Sequence, residues 1–209
     1  MTIDWKISTG AQDYLQSVQY MEDRIAGIKD GRTDEQVWLL GHPSLYTAGT
    51  SAKATDLIDA KFPVFETGRG GQYTYHGPGQ RIGYVMLDLK KRQQAPDIKQ
   101  YIHDLEQWII NTLQAFDIKG KRIEGRVGIW VTSRSGAENK IAAIGVRVRH
   151  WVTYHGISIN LNPDLSHFNG IVPCGINDAG VTSFEQLGVD VTQSQLDKVL
   201  QKEFLKIFN

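Results

Sequence analysis

The chain has 209 residues, a single cysteine, and equal numbers of Lys+Arg and Asp+Glu, 23 of each. A formal net charge of zero excludes a binder that works by broad neutralisation of a phosphate backbone, so no nucleic-acid partner is expected. One thiol excludes a disulfide framework and a multi-cysteine zinc site, which points to a reducing, cytoplasmic compartment. No run of about 18 apolar residues is present, and the opening MTIDWKISTG lacks the charged-then-apolar layout of a signal peptide; no membrane partner is expected.

In chain order, Tyr14, Val18, Met21, Ile25 and Ile28 recur at three- and four-residue spacings, which predicts an amphipathic helix over Asp13 to Ile28, stopped at Gly31. Gln36 to His42 and Phe62 to Thr67 read as strands. Gly68 to Gln80 holds five glycines and a proline in thirteen residues, so it reads as a structured loop or an irregular strand pair. It has neither the Gly-Lys-Ser/Thr ending of a phosphate loop nor the spacing of a dinucleotide loop. Arg81 to Leu89 returns as a strand. A second helix is expected from Asp97 to Phe116, with Gly120 just beyond it. Val127–Ser133, Lys140–Val148 and Val152–Leu161 are β-rich. Thr182-x-x-Glu185 and Thr192-x-x-Gln195 match capping boxes, the second opening a final helix. Strands and helices in mixed order, with no linker, predict one α+β domain, over residues 1–209.

Chemistry concentrates at three places. Cys174 lies between Pro173 and Gly175 in FNGIVPCGIND, a loop suited to presenting a sulfur atom, although a free cysteine is also a common packing residue. Lys140 opens a strand beside Ala142, Ala143 and Gly145; it is either a solvated strand-edge lysine or, if near the thiol, a group that favours thiolate. The tetrapeptide Thr-Tyr-His-Gly occurs at Thr74–Gly77 and again at Thr153–Gly156, so two glycine-punctuated strand ends are candidates to meet at one site. The histidines show no metal-ligand spacing, and Arg122, Arg126, Lys140, Arg147 and Arg149 are candidates for a basic docking patch.

The segments HPSLYTAG, GRGGQYTYHGPGQ, KIAAIGVRV, VTYHGISINLNPDLSHFNGIVPCG and VTSFEQLG, spread in order over Gly41 to Gly188, resemble the octanoyltransferases of protein lipoylation. The resemblance implies the α+β fold of biotin and lipoate protein ligases. It implies transfer of an octanoyl group from acyl carrier protein to a lysine of lipoyl domains, in 2-oxoacid dehydrogenase complexes and in the glycine cleavage H protein, by a monomer without cofactor or metal. By matching position, Cys174 is the acyl-accepting nucleophile and Lys140 its dyad partner. The loop residues Arg69, Gly70, Gly71, Gln72, Tyr73, Thr74, Tyr75 and His76 line the acyl pocket, joined by Ala143, Ile144, Gly145, Gly156, Ile157 and Ser158. Backbone N–H groups near Gly175 and in Gly70–Gly71 are candidate oxyanion donors, and a blind apolar pocket would set chain length. An ATP-dependent ligase on the same fold, a Cys174 hydrolase using His76 or His155, and a non-catalytic binding module are the competing readings.

Overall fold

The structure is a computed structural model and describes residues 3–172 and 180–208. Cys174 and Gly175 lie outside the described residues. The first strand, β1 (Ile3–Ala11), leads through Asp13 into helix α1 (Tyr14–Lys29). The Asp13 carboxylate accepts the Gln16 N–H at 2.9 Å and so caps the helix. Strands β2 (Glu35–Gly41), β3 (Leu45–Ala48), β4 (Val64–Glu66), β5 (Tyr73–His76) and β6 (Gln80–Met86) follow. After the single-turn helix α2 (Leu89–Arg92), helix α3 (Ile98–Gln114) starts at an Asp97 cap. Then come β7 (Lys121–Ile123), β8 (Arg126–Thr132), β9 (Glu138–Arg149), β10 (Val152–Asn160), the two-residue β11 (Gly180–Val181) and helix α4 (Gln193–Phe208).

Among the described residues the strands form a mixed sheet in the order β1-β2-β6-β10-β9-β8-β7, with β11 added to β9, and a second sheet in the order β4-β3-β5. Alternation along the strands separates two cores. Val37, Leu39, Val85, Leu87, Ile157 and Ile159 face α3 and α4, where Trp108, Leu200 and Phe204 are buried. Trp38, Leu40, Ile82, Tyr84, Met86, Val152 and Tyr154 face the other way, onto Met21, Ile25 and Ile28 of α1. A buried fork, Arg81 Nε and Nη2 to the Asp197 carboxylate at 2.7 and 2.8 Å, ties β6 to α4. No helix among the described residues is long and apolar enough to cross a membrane.

The two capping-box matches have different outcomes, and the glycine-rich stretch takes a definite form. The Thr182 box opens no helix: Ser183 Oγ accepts the Gln186 N–H at 3.1 Å, and the chain turns out at Gly188 in a left-handed conformation. The Thr192 box does open α4, with Thr192 N–H on Gln195 Oε1 at 2.9 Å. The glycine-rich stretch is a loop followed by a regular strand, β5, that pairs with β3 from Leu45↔His76 to Ala48↔Tyr73.

Candidate active site

Both Thr-Tyr-His-Gly segments reach one cavity. It lies where β5 and the loop before it cover β6, β10 and β9, and Arg69, Gly71, Gln72, Tyr73, Thr74, His76, Ala143, Ile144, Gly145, Gly156, Ile157 and Ser158 all line it. This slot holds about 530 Å³ of empty space, part of it open to solvent. Gly70 and Tyr75 are not in the lining. The Gly70 N–H is committed to Val146 O at 2.9 Å, which joins the loop to β9 and removes this group from the oxyanion donors. Tyr75 points to the opposite face of β5, where its hydroxyl meets Ser44 Oγ at 3.0 Å and His167 Nδ1 at 2.8 Å.

Arg69 holds the loop shape from within. It is 7% exposed and donates to Thr47 O at 2.8 Å and to Gln72 O at 3.0 Å. Across the slot, Gly156 is required by close approach: a Cβ there would sit 2.2 Å from Gly83 O of the neighbouring strand.

The walls are not purely apolar, contrary to expectation. Beside Ile82, Ala143, Ile144 and Ile157 stand Tyr14, Tyr84, His76 and His155. Tyr14 and Tyr84 are invisible to sequence reasoning because one opens a helix and the other sits mid-strand among apolar residues. Behind them His42 places Nδ1 2.6 Å from Gln12 O and Nε2 2.7 Å from the Tyr84 hydroxyl. A carbonyl only accepts, so Nδ1 carries the proton and Tyr84 O–H donates to Nε2. Burial lowers the pKa of His42. Burial pushes His76 well below the usual imidazole range, with His42 and Arg69 adding to the effect. His155 is lowered to about 3, by burial first and then by Arg69 and Arg147. The slot is therefore walled by neutral imidazoles.

His155 is also strained. Its φ is 58°, a left-handed conformation that costs a histidine about 1–3 kcal/mol. Neighbouring side chains of a strand point to opposite faces, yet the Tyr154 and His155 rings stack with centroids 5.0 Å apart and planes at 24°. The left-handed residue turns the imidazole away from the α3–α4 core and into the slot wall.

Lys140 is not a solvated strand-edge residue. It is 6% exposed, its Nζ donates to Val127 O at 3.0 Å, and the ammonium lies 4.7 Å from the Trp130 ring centroid. It precedes the slot residues Ala143–Gly145 on the same strand. Two segments bracket the stretch that carries Cys174. Val172 N–H donates to Asp56 O at 2.7 Å; on the far side, Gly180 and Val181 pair with Asn139 and Lys140, and Thr182 N–H donates to Lys140 O at 3.0 Å. A buried side-chain chain links this place to the slot. His76 Nδ1 meets Gln80 Oε1 at 3.3 Å, Gln80 Nε2 donates to Asn160 Oδ1 at 2.8 Å, and Asn160 Nδ2 donates to Thr182 O at 2.9 Å.

The basic patch divides. Lys140 is interior, and Arg122 is held by Glu106 at 3.0 Å. Arg147 and Arg149 are exposed at the other end of β9; nine residues of strand, about 30 Å, separate Arg149 from Lys140.

The family model of the lipoyl protein ligase A/B catalytic domain matches residues 13–205. The chain belongs to that family. The octanoyltransferase of Paramagnetospirillum magneticum is 57% identical over 207 residues, covering 99% of this chain and 97% of that protein. At that similarity the chain is an acyltransferase of the octanoyltransferase branch, acting in lipoylation. The fold agrees: lipoate-protein ligase A bound with ATP superimposes with a TM-score of 0.79 at 16% identity, over 99% of this chain and 85% of that one. Biotin protein ligase from Aquifex aeolicus, in complex with biotin and ATP, gives 0.56 at 13% identity, over 99% and 69%.

Proposed function

We propose that this octanoyltransferase moves the octanoyl group from octanoyl-acyl carrier protein to a lysine of a lipoyl domain through a thioester on Cys174. The observation that carries the reading is the position of Lys140: buried, on the strand that lines the slot, and paired with the residues that end the Cys174 segment. The acceptors are the lipoyl domains of 2-oxoacid dehydrogenase complexes and the glycine cleavage H protein, and the enzyme works as a cytoplasmic monomer, one domain over residues 1–209.

In the first half-reaction the Cys174 thiolate forms a bond to the donor carbonyl carbon. The carrier's carbon–sulfur bond breaks, and the carrier thiolate takes a proton from the Lys140 ammonium and leaves as the thiol, so Lys140 is left neutral. One thioester replaces another, so the step is nearly neutral and needs no nucleotide. In the second, a neutral acceptor amine attacks the Cys174 thioester. An amide forms, the cysteine sulfur leaves, and one amine proton must be removed. Lys140 serves both halves, as a cation that steadies thiolate and as the neutral base that takes the proton. Arg69, Gly71, Gln72, Tyr73, Thr74 and His76 on one side, and Ala143–Gly145 with Gly156–Ser158 on the other, hold the acyl chain. The hydrolase reading is disfavoured because His155, with a pKa of about 3, and His76, held well below the usual imidazole range chiefly by burial, are poor bases near neutral pH.

Intact mass after mixing with octanoyl-acyl carrier protein tests the reading. A hydroxylamine-labile octanoyl adduct is expected, absent in Cys174→Ala. Turnover without an adduct under single-turnover trapping would sink the covalent route, and dependence on ATP would favour a ligase. Lys140→Ala should slow thiol alkylation at neutral pH; an unchanged rate removes it from the thiolate role.

A further inference from the structure

The slot has a direction. Ser158 pairs with Ala143, Ile157 with Ile144, Gly156 with Gly145, and His155 with Val146. Lys140 lies beyond Ala143, so Ser158 and Ala143 are at the reacting end and His155 is at the far end. From Ser158 to His155 is three residues of strand, about 10 Å. An extended eight-carbon acyl chain spans about 9 Å from covalent geometry. The two lengths agree.

The ring at the far end, that of His155, is placed there against the pattern of its strand. Val152 and Tyr154 face α1, while Ile157 and Ile159 face the α3–α4 core. Regular alternation would send position 155 to the α3–α4 side. The left-handed backbone at 58° turns it instead into the slot, stacked on Tyr154 and edge-on to Tyr84 at 5.9 Å.

We propose that His155 is the end stop of the acyl slot and sets the eight-carbon limit, with Tyr84 behind it. The inference rests on the proposed octanoyl transfer and adds the residue that determines chain length. Held neutral by burial, the imidazole borders the terminal methyl without placing a charge against it.

The test uses the full chain as wild type, His155→Gly and His155→Asn, both replacements suited to a left-handed backbone. Transfer to a lipoyl domain is followed from hexanoyl-, octanoyl-, decanoyl- and dodecanoyl-acyl carrier protein. The readout is the dodecanoyl-to-octanoyl rate ratio. It should rise at least about tenfold in His155→Gly and by less in His155→Asn, whatever happens to the absolute rates. A merely structural role would lower both rates together and leave the ratio at the wild-type value; that result in folded variants overturns the proposal. Failure of the wild type to transfer octanoyl at all would overturn the functional reading first and this one with it. Should neither variant fold, the wild type decides by melting temperature with added fatty acids. A rise from hexanoate to octanoate that stops at decanoate supports the end stop, and a continued rise through dodecanoate overturns it.

Discussion

The same four residues, Thr-Tyr-His-Gly, are built in two ways in this molecule. At Thr74–Gly77 the strand alternates: Tyr75 faces an aromatic cluster with Tyr46 and Phe168, and His76 faces the slot. At Thr153–Gly156 it does not, and Tyr154 and His155 stack on the same side. The first tyrosine bonds through its hydroxyl to Ser44 and His167, whereas the second has no hydrogen-bond partner for its hydroxyl among the described residues. The first copy sits on a short strand of the small sheet. The second is fixed by β6 on one side and β9 on the other. Four residues select a strand and a turn; the neighbours decide which way the rings go.

The glycines should separate the copies most widely. A Cβ at Gly156 meets backbone, Gly83 O at 2.2 Å, whereas at Gly77 it meets the end of the Tyr75 side chain at 1.9 Å. Gly156→Ala should therefore cost about 3 kcal/mol or more by forcing β10 from β6, and Gly77→Ala about 1–2 kcal/mol, both read by denaturant unfolding. Equal costs would break the contrast. The histidines come next. His76→Gly loses a buried ring from a regular strand and should cost about 2–3 kcal/mol. His155→Gly loses a ring but relieves a left-handed residue, and should stay within about 1 kcal/mol of wild type.

Acid sharpens the comparison further. His155 folds with a pKa of about 3, against about 6.5 unfolded. Between those values the unfolded chain binds the proton and the folded chain does not. Its contribution is complete above about pH 6.5 and is lost as the pH falls toward 3, with a slope of about 1.4 kcal/mol per pH unit. Stability measured against pH should lose that much slope in His155→Asn. His76 is lowered in the same direction, so part of the acid sensitivity should remain. The smallest effect is expected at the hydroxyls. Tyr75→Phe should cost about 1 kcal/mol, and Tyr154→Phe should be neutral or slightly stabilising, by thermal melts.

Elements that bury one face against one neighbour were legible from sequence. The stripe through Met21, Ile25 and Ile28 is the buried side of α1, and the Thr192 box opens α4. Strand β1 escaped notice because its exposed, polar edge carries little periodic signal, and β3 because its four residues are all buried and show no alternation. The two residues of β11 owe their pairing to β9 alone. At the site, the repeated tetrapeptide pointed to the meeting of two strand ends, and the family resemblance supplied most of the slot lining. Tyr14, Tyr84 and the burial of Lys140 were out of reach. Each depends on groups distant in sequence: Arg69 beside Tyr14, His42 beside Tyr84, and Val127 with Trp130 around Lys140.

The positive dihedral at residue 155 also bears on how such an enzyme could diverge. A histidine codon becomes an asparagine or aspartate codon by one base change, and these short side chains are among the few that accept that backbone. If His155 ends the acyl slot as proposed, one nucleotide separates the protein from a variant with a deeper slot and an undisturbed strand. Bulkier replacements would first have to rebuild the strand.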